Sequence, residues 1–561
     1  MSGPYYCNPL NLPYRYQLFG RGAGRSAYRE AADPSLVFFR DRYYLFSSMT
    51  DGFFTGSDLC NWDFHPFTEE IPIHDYAPDA CVIDGELWFC ASRGGMNGAF
   101  YHSPDPVNIP FRMIPASFGF WDPHLFCDDD GRLYFFWGCS NKKPLWGVEL
   151  ERGTMRPLCD PVGLIWGHPE RHGFERFGEN NRDCGKMPYI EGPWMTKHNG
   201  KYFLQYAAPA TEYNIYSDGV YVADVPLGPY RPAEINPYTH QPGGFISGSG
   251  HGSTLKDVRG RYWHTDTLGI SRSHPYERRL GLWRAGFDHR GALFCDQRFG
   301  DWPHSVDAPL WSDPEWMLLS YGKPVQVSSG KDPQSAVDES IRTWWSASDD
   351  DPRPRITVDL LNIRLVHAVQ INFADEGLSP DPGPEARWSR HLSVPRVIEE
   401  RPLYTRWMLE TSKDGRRWDV LADKRACLTD LPHDLIINGT GISARYLRLT
   451  VTELPYGQTA RISGLRVFGK ASGCPPQKAR IREARRLPLD GLLRWEAERS
   501  TGACVCWGPD PDRLYHSMMV YGQQSAVITA LLAGQPAWAR VDCFNESGVT
   551  RGDAALLCES E

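Results

Sequence analysis

The fold turns on the stretch GHGSTLKDVRGRYWH, residues 250–264. Its rhythm occurs earlier in EGPWMTKHNGKYFLQY, residues 191–206. In both, a polar or charged residue (His251, Glu191) stands nine places before a Gly (Gly260, Gly200), and a Tyr follows that Gly by two. Three further segments share the design: DPSLVFFRDRYYLFSS from Asp33, APDACVIDGELWFCAS from Ala77 and DPHLFCDDDGRLYFFWG from Asp122. Each is an alternating apolar run, a tight turn and a second run rich in aromatics, which is the pattern of a β-hairpin. Asp84-Gly85, Asp130-Gly131 and Asn199-Gly200 are the strongest signals for two-residue turns, because both central residues must adopt positive φ. Arg259-Gly260 and Arg40-Asp41 fill the same slot.

Aligned on the turn (Asp41, Gly85, Gly131, Gly200, Gly260), the units are 44, 46, 69 and 60 residues apart. Hairpins at such periods, with no helical pattern between them, predict the four-stranded blades of a β-propeller, which take about 40–50 residues each. The longer steps predict loop insertions, one of them the polar, Gly-rich GHPERHGFERFGENNRDCGK, residues 167–186. Such a surface loop is a candidate wall for a binding site.

Composition agrees with an all-β chain. Of 561 residues, 13% are aromatic, and Gly (53) and Pro (45) are frequent. The net charge is −9 and no basic stripe stands out, which argues against nucleic acid and anionic membranes as partners. No apolar run reaches the roughly 18 residues of a membrane-spanning helix. The start, MSGPYYCNPLNLPYRYQ, lacks the basic and apolar regions of a secretory signal. The fifteen cysteines have no zinc-type spacing, and Cys504 and Cys506 form a C-x-C in a strand-like run. Together these features predict reduced thiols and a cytoplasmic protein.

In a propeller the innermost strands surround one axis and start at the same end. The residues that open the five units, Asp33, Ala77, Asp122, Glu191 and His251, are therefore expected at one mouth of the channel. Three carboxylates gathered there repel one another, so their pKa values must separate. A carboxyl that keeps its proton can act as general acid and one that stays ionised as general base, which is the equipment for glycoside hydrolysis. The competing reading of any single Asp-Pro is a turn cap. Three acids in one register weigh against it, since like charges are costly to assemble.

The ordered set in EAADPSLVFFRDRYYLFSS, WDPHLFCDDDGRLYFFWG, EGPWMTKHNGKYFLQYAAP and SGHGSTLKDVRGRYWHTDT resembles the successive blade motifs of glycoside hydrolase family 43, over about residues 8–315. The resemblance implies a five-bladed propeller and an inverting mechanism. By position it makes Asp33 the base that activates water, Asp122 the residue that orients the acid and raises its pKa, and Glu191 the general acid. It puts His251 on the channel axis, where relatives hold a water cluster or a metal such as calcium. No other cofactor is implied, and one His is not by itself a metal site. Trp121 and Trp194 are candidate stacking platforms for a sugar, with core packing as the alternative. Arg278 or Arg279 is expected to donate to sugar hydroxyls. Since the second unit opens with Ala77, Tyr76 or Asp79 is the candidate for that part of the rim.

Beyond about Ser320 the blade rhythm ends. AVDESIRTWWSA, ITVDLLNIRLVHAVQINF, LETSKDGRRWDVL and ARYLRLTVTELP…ISGLRVFG resemble a factor V/VIII type C (discoidin) β-sandwich over about 321–470. After the linker ASGCPPQKAR, the last segment resembles a fibronectin type III sandwich. The expected organisation is a propeller over 1–320, a discoidin-like sandwich over 321–470, and a linker with a fibronectin type III-like sandwich over 471–561. The expected activity is exo-acting removal of a terminal furanosyl unit, α-L-arabinofuranosyl or β-D-galactofuranosyl, from an oligosaccharide. The alternatives are β-D-xylosidase or exo-galactanase activity, or sugar binding without catalysis. The lean to furanosides comes from HGFERFGENN and SGHGS, which look like the furanosidase-type branches of the family.

Overall fold

A computed structural model describes residues 4–20, 25–67, 76–93, 97–271, 274–384, 386, 388–391 and 394–559. The first three residues of the N-terminal stretch lie outside them. The protein is all-β, a five-bladed propeller followed by two β-sandwiches. Helical structure among the described residues is limited to short 3-10 turns such as Gly173–Glu175 and Pro333–Ala336. No helix is long and apolar enough to cross a membrane.

The five blades occupy residues 35–66, 79–115, 123–165, 190–232 and 247–296. In each, a short inner hairpin is extended outward by two further antiparallel strands. Arg40-Asp41, Asp84-Gly85 and Asn199-Gly200 make two-residue turns with both residues at positive φ. Asp130-Gly131 and Arg259-Gly260 do not. They sit in five-residue connections between Cys127 and Leu133 and between Lys256 and Tyr262. There Asp128 and Asp257 close the loop through their backbones, each N–H donating to the carbonyl of the Arg four residues on and each carbonyl accepting from the N–H of the Gly three residues on.

The innermost strands, Ser35–Phe39, Asp79–Ile83, Pro123–Cys127, Ile190–His198 and Ser247–Lys256, touch in cyclic order, the fifth against the first. Each carries a residue in the left-handed region just before it or in its first half: Asp33 (φ 51°), Ala77 (54°), Asp122 (51°), Gly192 (57°) and His251 (51°). The fourth slot is therefore Gly192 rather than Glu191. The strand pairing shifts between Glu191 and Trp194, which leaves Glu191 one residue ahead of its expected register. Glycine is required at this position, because a Cβ there would lie 2.6 Å from the His251 ring.

Two residues after each slot come Ser35, Asp79, His124, Trp194 and Ser253, and these side chains tie the blades together. Ser253 accepts from the Leu36 N–H (3.0 Å), Ser35 from the Ala80 N–H (2.9 Å) and Asp79 from the Leu125 N–H (2.7 Å). Asp79 also meets His124 Nδ1 at 3.0 Å. The His124 ring lies 4.4 Å from that of Trp194, whose indole N–H donates to the Thr254 carbonyl (3.0 Å).

The first sandwich is built on a sheet containing the long strands Arg355–Phe373 and His433–Glu453. Its pairing reaches across the expected domain boundaries. Met317–Leu318 joins its edge at Gly469 and Phe468, and the N-terminal hairpin Tyr16–Phe19/Ser26–Arg29 pairs with Val394–Ile398. The second sandwich comprises the strands between Arg480 and Glu559 in two sheets. Fully buried guanidiniums hold the seams. Arg29 pairs with Asp375 (2.9 Å) and Asp430 (2.7 Å), Arg466 with Glu339 (2.7 Å), and Arg513 with Asp288 (2.8 Å) and Glu234 (2.6 Å). A shared apolar cluster of Phe299, Trp302, Phe468 and Phe544 joins all three units.

Replacing Asp79 with Ala leaves the Leu125 N–H and the His124 ring without their acceptor in a buried seam. Denaturant unfolding of Asp79→Ala should show a loss of about 2–4 kcal/mol. A loss below about 0.5 kcal/mol would contradict this account of the inter-blade ring.

Candidate active site

Three of the left-handed slots, Asp33, Asp122 and His251, line one cleft of about 570 Å³ at the mouth of the channel. Asp33, Asp122, Glu191 and His251 all line it, together with Tyr76, Trp121, Cys139, Tyr189, Ala210, Thr211, Glu212, Tyr276 and Arg278. The volume lies within the usual range for a small-ligand pocket, about 300–1,000 Å³.

Asp33 is buried and surrounded by donors. Its Oδ2 accepts from the Ser48 hydroxyl (2.6 Å), and its Oδ1 lies 3.4 Å from both Arg278 Nη1 and His251 Nδ1. Burial opposes its charge, but Arg278, His251 and the Ser48 hydrogen bond outweigh burial and hold the carboxyl below the ordinary Asp value. Arg278 is itself anchored by Glu30, whose Oε1 accepts from Nη2 (2.6 Å) and Nε (3.1 Å). Its guanidinium lies 5.4 Å from the ring centres of both Tyr76 and Tyr276, and Nη1 donates to Thr211 Oγ1 (3.2 Å).

Asp122 and Glu191 form a second, closer group with Cys139, in which one ligand atom from each lies within 4.8 Å of the others. Burial, followed by the neighbouring charges of Glu191 and Asp33, drives the Asp122 carboxyl well above the ordinary value, with His251 pulling against them. Glu191 accepts from the Tyr216 hydroxyl at Oε1 (2.5 Å) and from the Cys139 thiol at Oε2 (2.9 Å). His251 stands between the two groups, 3.4 Å from Asp33 and 3.9 Å from Asp122. Burial disfavours its charge, but the surrounding carboxylates prevail and raise its pKa. Asp218 fixes its backbone by accepting from the N–H groups of His251 (2.7 Å) and Gly252 (3.1 Å).

Three candidates from the sequence lie elsewhere. Trp194 is buried in the inter-blade ring, because it occupies the position two residues after the slot. Asp79 holds the equivalent place in the second blade and is buried against His124. Arg279, next to the cleft-lining Arg278, alternates to the opposite face of its strand, where it bonds His433 Nε2 (2.9 Å) and the Arg29 carbonyl (2.9 Å). Trp121 and Tyr76 line the cleft, and the exposed Tyr189 and Tyr276 add aromatic surface at its rim.

Tyr216, Cys139 and Glu30 carried no signal in sequence. Tyr216 precedes the third strand of its blade, and Cys139 is brought opposite Glu191 by a two-residue strand. Calcium takes 6–8 oxygens; at an axial site His251 would be the contact from the chain and water would supply the shell, since the Asp218 carboxylate is engaged by backbone N–H groups and Asp33 by Ser48 and Arg278.

Residues 28–291 match the family profile described as "Glycosyl hydrolases family 43". Over these residues the chain is similar to that family. Among curated proteins, the chain is 27% identical over 275 residues to a xylan 1,3-beta-xylosidase of Vibrio sp, which covers 43% of this chain and 49% of that protein. It is 28% identical over 155 residues to a beta-xylosidase of Xylanibacter ruminicola (24% of this chain, 43% of that one). It is 25% identical over 339 residues to a xylosidase/arabinosidase 43A of Humicola insolens (47% and 96%). The match spans less than half the length of the Vibrio and Xylanibacter proteins.

The insertion 167–186 in the propeller does not wall the cleft with its HGFERFGENN segment. It is clamped onto the second sandwich. Gly173 N–H donates to the Leu531 carbonyl (2.9 Å), Arg176 to the Thr529 carbonyl (2.7 Å) and to Asp490 (2.5 Å), and Thr529 to Asn181 (2.9 Å). The insertion influences the cleft at one remove, since Asn180 and Asn214 exchange hydrogen bonds (2.9 and 3.0 Å) just beyond the cleft-lining segment 210–212.

Burial lifts the Glu30 carboxyl to about 7, against the pull of Arg278. Its folded pKa thus exceeds the ordinary 4.5, so its contribution to stability is complete below about 4.5 and drains away as pH rises through about 7. Glu30→Gln removes that drain. The melting temperature of the variant, relative to the native protein, should therefore rise between about pH 5 and pH 8. A difference that stays constant across this range would contradict the assigned burial.

Proposed function

We propose that the propeller is an exo-acting, inverting glycoside hydrolase of family 43 that removes a terminal pentosyl unit, a β-D-xyloside or an α-L-arabinofuranoside. One observation carries this reading: a single cleft holds a carboxylate kept ionised by an arginine and, across a histidine, a crowded carboxyl pair that favours retention of a proton. Asp33 takes the proton from a water that attacks the anomeric carbon. Glu191, steadied by Tyr216, protonates the departing oxygen from the opposite side. Asp122, which meets Glu191 at the same point of the cleft, orients the acid. Inverting enzymes leave about 6.5–9.5 Å between acid and base for the water. Arg278 and the aromatic rings of Trp121, Tyr189 and Tyr276 suit a neutral sugar with a flat face.

The curated relatives named xylosidase or xylosidase/arabinosidase support the pentosyl choice. The lean to furanosides drawn from HGFERFGENN and SGHGS rests on family likeness, and the first of these segments packs on the second sandwich. We read the two sandwiches as discoidin-like and fibronectin type III-like modules that brace the propeller. Two packed antiparallel sheets in the second, and the buried seams of both, support that reading.

The test is a panel of 4-nitrophenyl β-D-xyloside, α-L-arabinofuranoside and β-D-galactofuranoside, with the first-formed anomer followed by NMR. Asp33→Asn and Glu191→Gln should each lose about 10²–10⁴-fold in kcat. An aryl substrate with a good leaving group should restore part of the rate to Glu191→Gln and none to Asp33→Asn, because only the acid assists departure. Equal rescue would refute the division of roles. A retained anomer would refute inversion. Sugar binding with no hydrolysis by the native protein would favour a binding module.

A further inference from the structure

The closest cluster of ligating atoms in the cleft is chemically mixed. Cys139 and Glu191 are direct partners across a β-ladder, and Asp122 reaches the same point from the third blade. Asp122 (4% exposed) and Glu191 (9%) are buried, while Cys139 is half-buried at the cleft wall. Each is held on one side and free on the other. Ser92 lies against Asp122 Oδ1 (3.4 Å), whereas the nearest cationic atom to Oδ2 among the described residues, His251 Nδ1, is 3.9 Å away, beyond hydrogen-bond reach. Tyr216 secures Glu191 at Oε1, leaving Oε2 turned to the thiol. Three ligating side chains converging on a shared space, one with an oxygen beyond hydrogen-bond reach of the nearest cation, are a natural seat for a metal ion.

We propose that Asp122, Cys139 and Glu191 form a site for a thiophilic divalent cation of the Zn²⁺ class, with its fourth position open to the cleft. The donor set decides the class. Ca²⁺ and Mg²⁺ require shells of oxygen and shun sulfur, whereas Zn²⁺ takes thiolate and carboxylate together in a tetrahedron. Zn–S near 2.3 Å and Zn–O near 2.0–2.2 Å place tetrahedral donors roughly 3.3–3.8 Å apart. The thiol and Glu191 Oε2, now 2.9 Å apart, need only separate slightly, and the widest pair, at most 4.8 Å, must close slightly. On binding, the Cys139 S–H proton and the proton held by the Asp122–Glu191 pair leave to solvent, and metal–sulfur and metal–oxygen bonds replace the thiol–carboxylate hydrogen bond. The cation then occupies the oxygen that Glu191 would use as acid, so the metal-bound protein is inhibited. That consequence rests on the reading of Glu191 given above, and the binding does not.

The full chain is titrated with Cd²⁺ and followed by its thiolate charge-transfer absorption, and with Zn²⁺ by calorimetry. The exposed Cys159, Cys184, Cys474 and Cys558 contribute equally to the native protein and to Cys139→Ser, so the difference reports Cys139 alone. The native protein is expected to show a Cd²⁺ band that Cys139→Ser lacks, and a Zn²⁺ site weakened tenfold or more in Cys139→Ser and in Asp122→Asn. Cys139→Ala, which removes the ligand without adding a hydroxyl, should behave like Cys139→Ser. Stoichiometric Zn²⁺ should raise the melting temperature of the native protein only. Equal Zn²⁺ affinity and equal Cd²⁺ absorption in the native protein and both Cys139 variants would overturn the site. Hydrolysis that Zn²⁺ stops and a chelator restores supports the whole proposal. Hydrolysis that continues with the Cys139-dependent site filled would leave the metal site standing and refute Glu191 as the acid.

Discussion

The structure depends on one steric constraint: five inner strands must begin from the same rim of a narrow ring. The chain meets it with a left-handed residue at the head of each strand, a conformation that costs of order 1–3 kcal/mol for a residue other than Gly. Asp33, Ala77, Asp122 and His251 all carry it. The same backbone turn directs the slot residue inward, and two residues later it turns a side chain toward the neighbouring blade. Closure and convergence are thus one geometric event. Where the fourth blade departs from the pattern, Gly192 takes the strained slot and lets the His251 ring sit against its Cα, while Glu191 moves one place upstream.

Electrostatics then separates the carboxylates that the ring gathers. Asp33 has an arginine, a histidine and a hydroxyl around it. Asp122 has a serine and two negative neighbours. The difference does not reside in the acids, both of which are Asp-Pro at the start of an inner strand. It comes from Arg278 in the fifth blade, which Glu30 holds on the Asp33 side. Burying this network is tolerable because each cation has a partner, and the same rule governs the domain seams, where Arg29, Arg466 and Arg513 are each matched by carboxylates. The sandwiches are thereby bound into the body that carries the cleft, down to the insertion whose far end touches Asn214.

The repeating hairpin rhythm was enough to find the propeller, the blade count and three of the acids, because a blade is a local unit whose period is written along the chain. It also located Arg278, Trp121 and Tyr76. It placed Trp194 and Asp79 at the cleft and could not separate Arg278 from Arg279. Trp194 was misplaced by counting register without the bulge at Glu191, Asp79 because the side chain two residues after a slot faces the neighbouring blade, and the arginine pair stayed open because only a strand's neighbours determine its facing. Similarity to the family placed the insertion 167–186 with a substrate preference, yet its hydrogen bonds run to Leu531 and Thr529, more than three hundred residues away.

The sequence by itself therefore determined which residues head the strands and how many blades form, since these follow from side-chain alternation, turn chemistry and period. Only the tertiary structure decided which acid stays ionised, that Tyr216 and Cys139 share Glu191, and that Glu30 anchors Arg278. The reason is physical. A carboxyl takes its proton affinity from charges and donors within a few ångströms, and here those come from chain segments 15 to 248 residues distant that meet only when the ring closes.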